Sequence, residues 1–264
     1  MKYSFMSFST PSLDLAGMLD VARRYGYDGI EPRLDAKHAH GVEVGTTSAQ
    51  RKAIRDQAAA SGIRLACLAT SLTYANSAMA EEMIRQTHER IDLAGDLSVP
   101  VIRAFGGQIP PGVVREDAIA QVVRSLGQVA DQARARGVTI CVETHDDWCD
   151  PVNLAAVLAR VNHPSVAANW DIMHPVRTGA ASIQQSFDIL KPWIRHLHVH
   201  DGVLATGKLV PIGTGGIDHR RAIELLKGIR FDGFLSGEWI DWEPFDIHLP
   251  RELTTLRGYE RRSS

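Results

Sequence analysis

Several features that mark secreted and membrane proteins are missing from this sequence. Only three cysteines occur among 264 residues, an odd number with no close pairing along the chain. A disulfide framework is therefore not expected, and a reducing compartment is favoured. The first residues lack the long apolar region of a secretion signal, and no run approaches the roughly 18 consecutive apolar residues of a membrane helix. We expect a soluble, cytoplasmic protein with no membrane partner.

An excess of charge of one sign is also missing. The chain carries 29 basic and 31 acidic residues, which gives a formal net charge of -2. Nucleic-acid-binding proteins usually present a basic patch or run, and this balance gives no sign of one. The Gly-x-Gly-x-x-Gly motif of dinucleotide-binding folds does not follow the first apolar run either. We therefore expect neither a nucleic-acid partner nor a dinucleotide fold.

Short apolar runs alternate with helical patterns over the whole chain, as in proteins built from strand and helix units. The predicted strands are residues 3–8, 29–33, 63–72, 99–105, 138–143, 166–171, 195–200 and 233–239. The predicted helices between them include residues 15–22, 48–60, 80–97, 115–136, 153–161, 182–190 and 218–226. Such alternation implies parallel pairing with right-handed crossovers.

Eight strand and helix units in about 250 residues are what a closed barrel requires. We therefore predict an α/β fold consisting of a single (β/α)8 TIM barrel over residues 1–264. Residues 243–264 are predicted to form a C-terminal loop, a helix around residues 253–259 and a frayed tail.

The seventh predicted strand has the most informative pattern. Successive side chains on a strand point to opposite faces, so His196, His198 and His200 share one face while Leu197 and Val199 share the other. Alternation alone shows only that one face is apolar, and a hairpin strand with solvated histidines is the alternative.

Three other predicted strands end in an acidic residue. Glu143, Asp171 and Glu238 close the fifth, sixth and eighth strands, beside His198 in the seventh. In this architecture the strand ends converge on one rim, where buried carboxylates repel one another unless a cation or protons neutralise them. Three carboxylates and an imidazole form a ligand set for a hard divalent cation. The alternative is a set of unrelated rim carboxylates in water, each paired with an arginine.

Several motifs resemble the sugar phosphate isomerase/epimerase group of xylose isomerase-like barrels. They are specific for the superfamily but weak for the substrate, and they lie at residues 26–31, 142–145, 171–174, 196–201, 211–218 and 231–238. The resemblance implies that Glu143, Asp171, His198 and Glu238 hold one divalent ion, manganese, magnesium or cobalt. It also implies that His174 contacts substrate oxygens beside the metal; the alternative is a histidine that caps the next helix.

The resemblance implies chemistry at the carbon next to a metal-chelated carbonyl. The metal makes the neighbouring C–H acidic, and Glu143 and Glu238 act as the acid/base pair on opposite sides of that carbon. Return of the proton gives epimerisation or isomerisation of a sugar, sugar acid or cyclic polyol, our leading hypothesis. Loss of a hydroxyl group instead would make the protein a dehydratase of the inosose or dehydroshikimate type. A nuclease of the endonuclease IV type is disfavoured by the charge balance, and a homo-oligomer is left open.

The sequence departs from the keto-sugar 3-epimerases at two positions. Those enzymes carry a carboxylate where this chain has Cys149 and an arginine where it has Leu204. Other groups are therefore candidates for substrate binding: Arg33 and Arg103 for a phosphate or carboxylate, and His200, Lys208 and Trp239 at the rim. The alternatives are rim ion pairs, solvated loop residues and, for Trp239, ordinary core.

Three weaker signals lie near the predicted rim. Glu31 points inward by alternation and is a candidate to orient one of the arginines or a sugar hydroxyl. Residues 213–216 form a glycine-rich run that either cradles a phosphate or tightens the chain before a helix capped by Asp218. His38 and His40 fall in a polar loop, where we expect solvation rather than a lid.

Overall fold

The structure is a computed structural model that describes residues 1–262, so the last two residues of the predicted frayed tail lie outside the described residues. The strands are β1 Lys2–Met6, β2 Gly29–Glu31, β3 Arg64–Leu65, β4 Leu68–Ala69, β5 Val101–Phe105, β6 Thr139–Glu143, β7 Val166–Asp171, β8 Ile194–Val199, β9 Asp201–Gly202, β10 Leu209–Val210 and β11 Phe234–Gly237.

Helices follow the barrel strands in the order expected of a strand and helix repeat. They are α1 Leu15–Tyr25, α2 Ser48–Ser61, α3 Ala80–Leu97, α4 Arg115–Ala135, α5 Pro151–Val161, α6 Met173–Arg177, α7 Ile183–Leu190, α8 His219–Gly228 and α9 Phe245–Arg262. Short 3-10 helices cover Ser7–Ser9, Ser77–Met79 and Asp146–Trp148. Within residues 1–262 no helix combines the length and the apolar character needed to cross a membrane.

The strands form a barrel in which every described pair of neighbours is parallel. Their order in the sheet is β3-β2-β1-β11-β8-β7-β6-β5-β4. The third predicted strand is divided into β3, which pairs with β2, and β4, which pairs with β5. The chain passes from one edge to the other within this segment and closes the ring. The predicted (β/α)8 TIM barrel is therefore confirmed, with the third position split and an added antiparallel hairpin of β9 and β10.

Local sequence signals set the helix ends. Asp14 accepts a hydrogen bond from the Gly17 amide at the start of α1, and Asp218 caps α8 as predicted. Gly26 and Gly62 end α1 and α2 in the left-handed conformation that a residue without a Cβ adopts at low cost.

Two helices differ from the sequence-based expectations. The last helix begins at Phe245, not near residue 253, and contains Pro250. Proline removes one backbone donor there, but buried His248 and Leu249 keep this turn packed against the barrel. The short helix α6 was not predicted; it starts because Asp171 accepts hydrogen bonds from the amides of the two residues that begin its first turn.

The barrel interior is unusual in its small and polar side chains. An apolar cluster of Cys67, Val101, Cys141 and Ala167 is separate from the large core between the strands and the helices. Val101 and Ala167 lie near the starts of their strands, so this cluster lies toward the opposite end of the barrel from Glu143 and Asp171. The C-terminal end of the interior is left to charged and polar groups.

We predict that Gly29→Ala destabilises the protein by about 1–3 kcal/mol through overpacking. An added Cβ would lie 2.7 Å from the Phe234 ring and 2.9 Å from the Arg64 carbonyl oxygen. Gly127→Ala in α4 is the control, because nothing lies within 4 Å of its added Cβ. It should stabilise the protein by about 0.5–1 kcal/mol through helix propensity. Urea unfolding measures both, and equal stability of the Gly29 variant and wild type would contradict this packing.

Candidate metal centre

Four buried residues meet at the C-terminal end of the barrel. Glu143 and Asp171 are the last residues of β6 and β7, His198 lies one residue before the end of β8, and Glu238 follows β11 directly. One ligand atom from each lies within 4.8 Å of the ligand atoms of the others. The structure therefore brings together all four predicted ligands from four neighbouring strands of the sheet.

Glu31 determines which nitrogen of His198 faces the other ligands. The Nε2 atom of His198 lies 3.1 Å from Glu31 Oε1, while its Nδ1 atom lies 2.9 Å from Glu143 Oε1 and 3.3 Å from Glu238 Oε2. His196 Nε2 contacts the other Glu31 oxygen at 2.8 Å. A carboxylate on the far nitrogen fixes the imidazole tautomer and leaves Nδ1 for a cation.

This role of Glu31 corrects the expectation that it orients an arginine or a sugar hydroxyl. It acts instead on the two imidazoles, and its side chain is completely buried. Burial alone would raise the pKa of Glu31, but the charges of His198 and His196 hold it well below the usual value.

The charges in the cluster depend on one another. Burial by itself lowers the pKa of His198, but the nearby carboxylates, Glu143 first among them, raise it well above its ordinary value. Burial raises the pKa of Glu238, yet the positive charge of His198 brings it down to about 2. The buried carboxylates therefore require a positive charge among them.

The donor set fits a divalent cation. Glu143 Oε2 and Asp171 Oδ2 are buried and accept no well-aligned hydrogen bond, although Arg103 Nε and His200 Nε2 lie within ion-pair distance of them. Buried charged oxygens without a hydrogen bond are costly, and coordination of a cation would satisfy them. Three carboxylates and one imidazole nitrogen suit a hard divalent cation, the class to which the ions implied by the resemblance belong.

Arg103 lies inside the barrel beside the cluster. Its Nε atom is 3.2 Å from Glu143 Oε2, and its NH1 group donates a hydrogen bond of 2.8 Å to the Thr70 carbonyl oxygen. Its guanidinium carbon lies 4.1 Å from the centre of the Phe105 ring. The candidate substrate-binding residue Arg103 is thus paired directly with a predicted ligand.

Arg33 lies close enough to Arg103 for their charges to interact. Burial, helped by the charge of Arg103, lowers the pKa of Arg33 to about 10. Arg33 NH2 contacts Ser71 Oγ at 2.5 Å, and its NH1 group donates to the Leu34 carbonyl oxygen. Two neighbouring guanidinium groups that are not both neutralised form a favourable place for an anion.

Two imidazoles lie beside Asp171, and a third packs against one of them. His200 Nε2 lies 2.9 Å from Asp171 Oδ2, and His174 Nε2 lies 3.8 Å from the same oxygen. The ring centres of His145 and His174 are 4.5 Å apart. His174 does not cap the next helix through its side chain, because Asp171 Oδ1 accepts the amides there. His145 was not among the predicted substrate-binding residues, although its position two residues after Glu143 was an available signal.

The remaining candidate residues make their contacts with groups outside this cluster. Lys208 is exposed in the turn between β9 and β10, where its carbonyl oxygen accepts the Val203 amide. Trp239 is buried against His248 of α9, with 5.2 Å between the ring centres. It therefore fits the alternative given above, an ordinary core residue. His40, expected to be solvated, is buried with Nε2 3.2 Å from the Arg33 carbonyl oxygen.

The glycine-rich run does not form an open phosphate cradle. The amides of Gly213 and Gly215 donate to Asp201 Oδ2 at 2.9 and 3.0 Å. The second interpretation, a loop tightened before the Asp218 cap, therefore describes it.

Comparison with known proteins agrees with this architecture. A family model for xylose isomerase-like TIM barrels matches residues 19–258. The chain belongs to the xylose isomerase-like TIM-barrel family. The four candidate ligands described above all fall within the matched residues.

Relatives of this xylose isomerase-like barrel include two classes of enzyme. The 3-dehydroshikimate dehydratase of Bacillus anthracis is 24% identical over 97% of this chain and 96% of that protein. The L-ribulose-5-phosphate 3-epimerase UlaE of Salmonella typhimurium strain LT2 is 23% identical over 84% of this chain and 81% of that protein. A solved D-psicose 3-epimerase in the presence of D-fructose is similar with a TM-score of 0.82 and 17% identity, covering 98% of this chain and 99% of that one. This likeness shows that the two chains share the same fold.

We predict that Glu31→Gln weakens Mn²⁺ binding by about 10–100-fold, because the amide cannot replace the carboxylate that fixes the His198 tautomer. Isothermal titration of the metal-stripped protein with Mn²⁺ measures this change. The matched control is Glu81→Gln on the exposed side of α3, which should bind as wild type does. Equal affinity of the Glu31 variant and wild type would contradict the assigned orientation of His198.

Proposed function

We propose that this protein is a divalent-metal-dependent isomerase or epimerase that removes a proton next to the carbonyl group of a sugar, sugar acid or cyclic polyol. The observation that carries the proposal is the buried group of Glu143, Asp171, His198 and Glu238 at the C-terminal end of the barrel. Catalytic groups in this architecture lie at that end.

The four residues would hold the metal ion together. A divalent ion bound there would act as a Lewis acid toward a carbonyl oxygen and so make the adjacent C–H acidic. His198 would offer Nδ1, held in place by Glu31, and Asp171 would offer Oδ2, because its other oxygen already accepts two amides.

Glu143 and Glu238 would move the proton. Both approach His198 Nδ1, so they flank one point of the site. Their surroundings differ, since Glu143 is paired with Arg103 whereas Glu238 follows the strand end at the rim. Two carboxylates in different surroundings can divide the base and acid roles, with one removing the proton and the other returning it.

The neighbouring cations and imidazoles would position the substrate. Arg33 and Arg103 would attract a carboxylate or another anionic group of the substrate. His174 and His200, next to Asp171, would donate hydrogen bonds to its hydroxyl groups. The bound substrate would then present its reacting carbon between the two glutamates.

A dehydratase is the second candidate. Elimination of water needs an acid that protonates the departing hydroxyl group, and the imidazoles of His145, His174 and His200 are suited to that step. The dehydratase relative is matched over 97% of this chain, compared with 84% for the epimerase relative. The departures at Cys149 and Leu204 also favour a substrate that differs from a keto-sugar.

A screen of ketoses, sugar acids and inososes in D₂O separates the two candidates. An isomerase or epimerase should incorporate deuterium without loss of water, whereas a dehydratase should form an unsaturated product that absorbs ultraviolet light. Either activity should disappear after dialysis against a chelator and return with Mn²⁺. Full activity in metal-free protein would contradict the proposed metal dependence.

We predict that Glu143→Gln and Glu238→Gln each lower deuterium exchange into the substrate by about 10²–10⁴-fold, the usual size of a general acid/base contribution. Mass spectrometry of the substrate measures the exchange, and circular dichroism checks the fold. Glu81→Gln should retain wild-type exchange. Retention of exchange in both site variants would reject proton transfer by the two glutamates.

A further inference from the structure

Asp201 is a buried carboxylate that accepts hydrogen bonds from four backbone amides, and His219 Nδ1 lies 3.9 Å from its Oδ2. Its Oδ2 accepts the amides of Gly213 and Gly215, and its Oδ1 accepts those of Ile217 at 3.2 Å and Gly202 at 2.9 Å. The side chain is completely buried, so these bonds replace its contact with water. Amides that converge on one carboxylate form the kind of concave anion site known from phosphate-binding loops.

The loop at residues 211–217 is shaped around this carboxylate. A Cβ added to Gly215 would lie 2.2 Å from Asp201 Oδ1, so no larger residue fits there without displacing one of the two. Gly213 has a φ of +89°, which directs its amide inward at low cost only in glycine. The position that an external phosphate would need is therefore filled by the chain's own anion.

His219 connects this loop to the metal centre. Its Nδ1 lies 2.9 Å from the Ile217 carbonyl oxygen, and its Nε2 lies 3.1 Å from the His200 carbonyl oxygen. The side chain of His200 in turn reaches Asp171 at 2.9 Å. A displacement of the loop would therefore move the backbone that carries His200.

We propose that Asp201 is a positioning residue, an internal anion that shapes the loop at residues 211–217 and, through His219, holds His200 against Asp171. The structural part of this proposal is independent of the reaction. Only its catalytic consequence rests on the proposed function.

The loop has a second anchor that should keep the fold intact when Asp201 is changed. Glu252 of α9 is buried and accepts the Ile212 amide at 2.7 Å, and Arg251 donates to the same carboxylate. A variant at Asp201 would therefore release the middle of the loop but not its beginning.

The test is Asp201→Ala with and without added formate. Formate has the size and charge of the deleted carboxylate group, and the loop glycines lie at the surface, where a small anion has access. In the variant, hydrogen exchange at residues 211–219 should accelerate by about 10–100-fold, as expected for the loss of hydrogen bonds to a charged group. Formate should slow this exchange, and neutral formamide should not.

The effect of Asp201 on turnover is measured with the substrate identified in the screen. Asp201→Ala should lower kcat more than it raises KM, and formate should restore kcat. Asp218→Ala is the matched control, because it also deletes a carboxylate that accepts an amide in this region, yet formate should not change its exchange or its turnover. Failure of formate to slow exchange in the Asp201 variant would overturn the proposal.

A second variant keeps the test decisive if Asp201→Ala does not fold. His219→Leu breaks the link to His200 and removes the 3.9 Å contact of His219 Nδ1 with Asp201 Oδ2, but it leaves the four amide hydrogen bonds of Asp201, so loop exchange should stay slow while kcat falls. An unchanged kcat in this variant would overturn the positioning role. If no substrate is turned over by wild type, the proposed function fails, while the formate effect on exchange still tests Asp201.

Discussion

The confinement of three carboxylates at the end of a closed barrel is the constraint on which the site depends. Glu143, Asp171 and Glu238 come from separate parts of the sequence, yet their oxygens lie within 4.8 Å of one another and of His198. Buried charges of one sign repel strongly because little water screens them. Positive charge must therefore be provided, and the chain places His198 and Arg103 against the carboxylates.

The groups around this centre act mainly on its ligands. Glu31 contacts Nε2 of His198, Arg103 forms an ion pair with Glu143, and His200 contacts Asp171. Three of the four predicted ligands thus have a second buried group that fixes their orientation or their charge, an arrangement that maintains ligand geometry in metal sites. The other part of the barrel interior holds small apolar side chains, whereas this end holds polar and charged groups.

Much of the architecture could be predicted from sequence because it depends on local patterns. The strand and helix alternation indicated the barrel, and acidic residues at three strand ends, together with His198 in a fourth strand, indicated the four candidate ligands. The pairing of Glu31 with His196 could not be predicted, because the two are separated by 165 residues and inward alternation does not identify a partner. The hydrogen bonds of Asp201 could not be predicted either, because the glycine-rich run alone does not identify its partner. It is compatible with an external phosphate or an internal carboxylate.

Diffraction from crystals grown with Mn²⁺, recorded at the manganese absorption edge, tests the central claim most directly. The account predicts an anomalous peak bounded by Glu143, Asp171, His198 and Glu238, with Nδ1 of His198 directed toward it and Nε2 still bonded to Glu31. The absence of a peak at this position at saturating Mn²⁺, with His198 bonded to the carboxylates as in the structure described above, would contradict it.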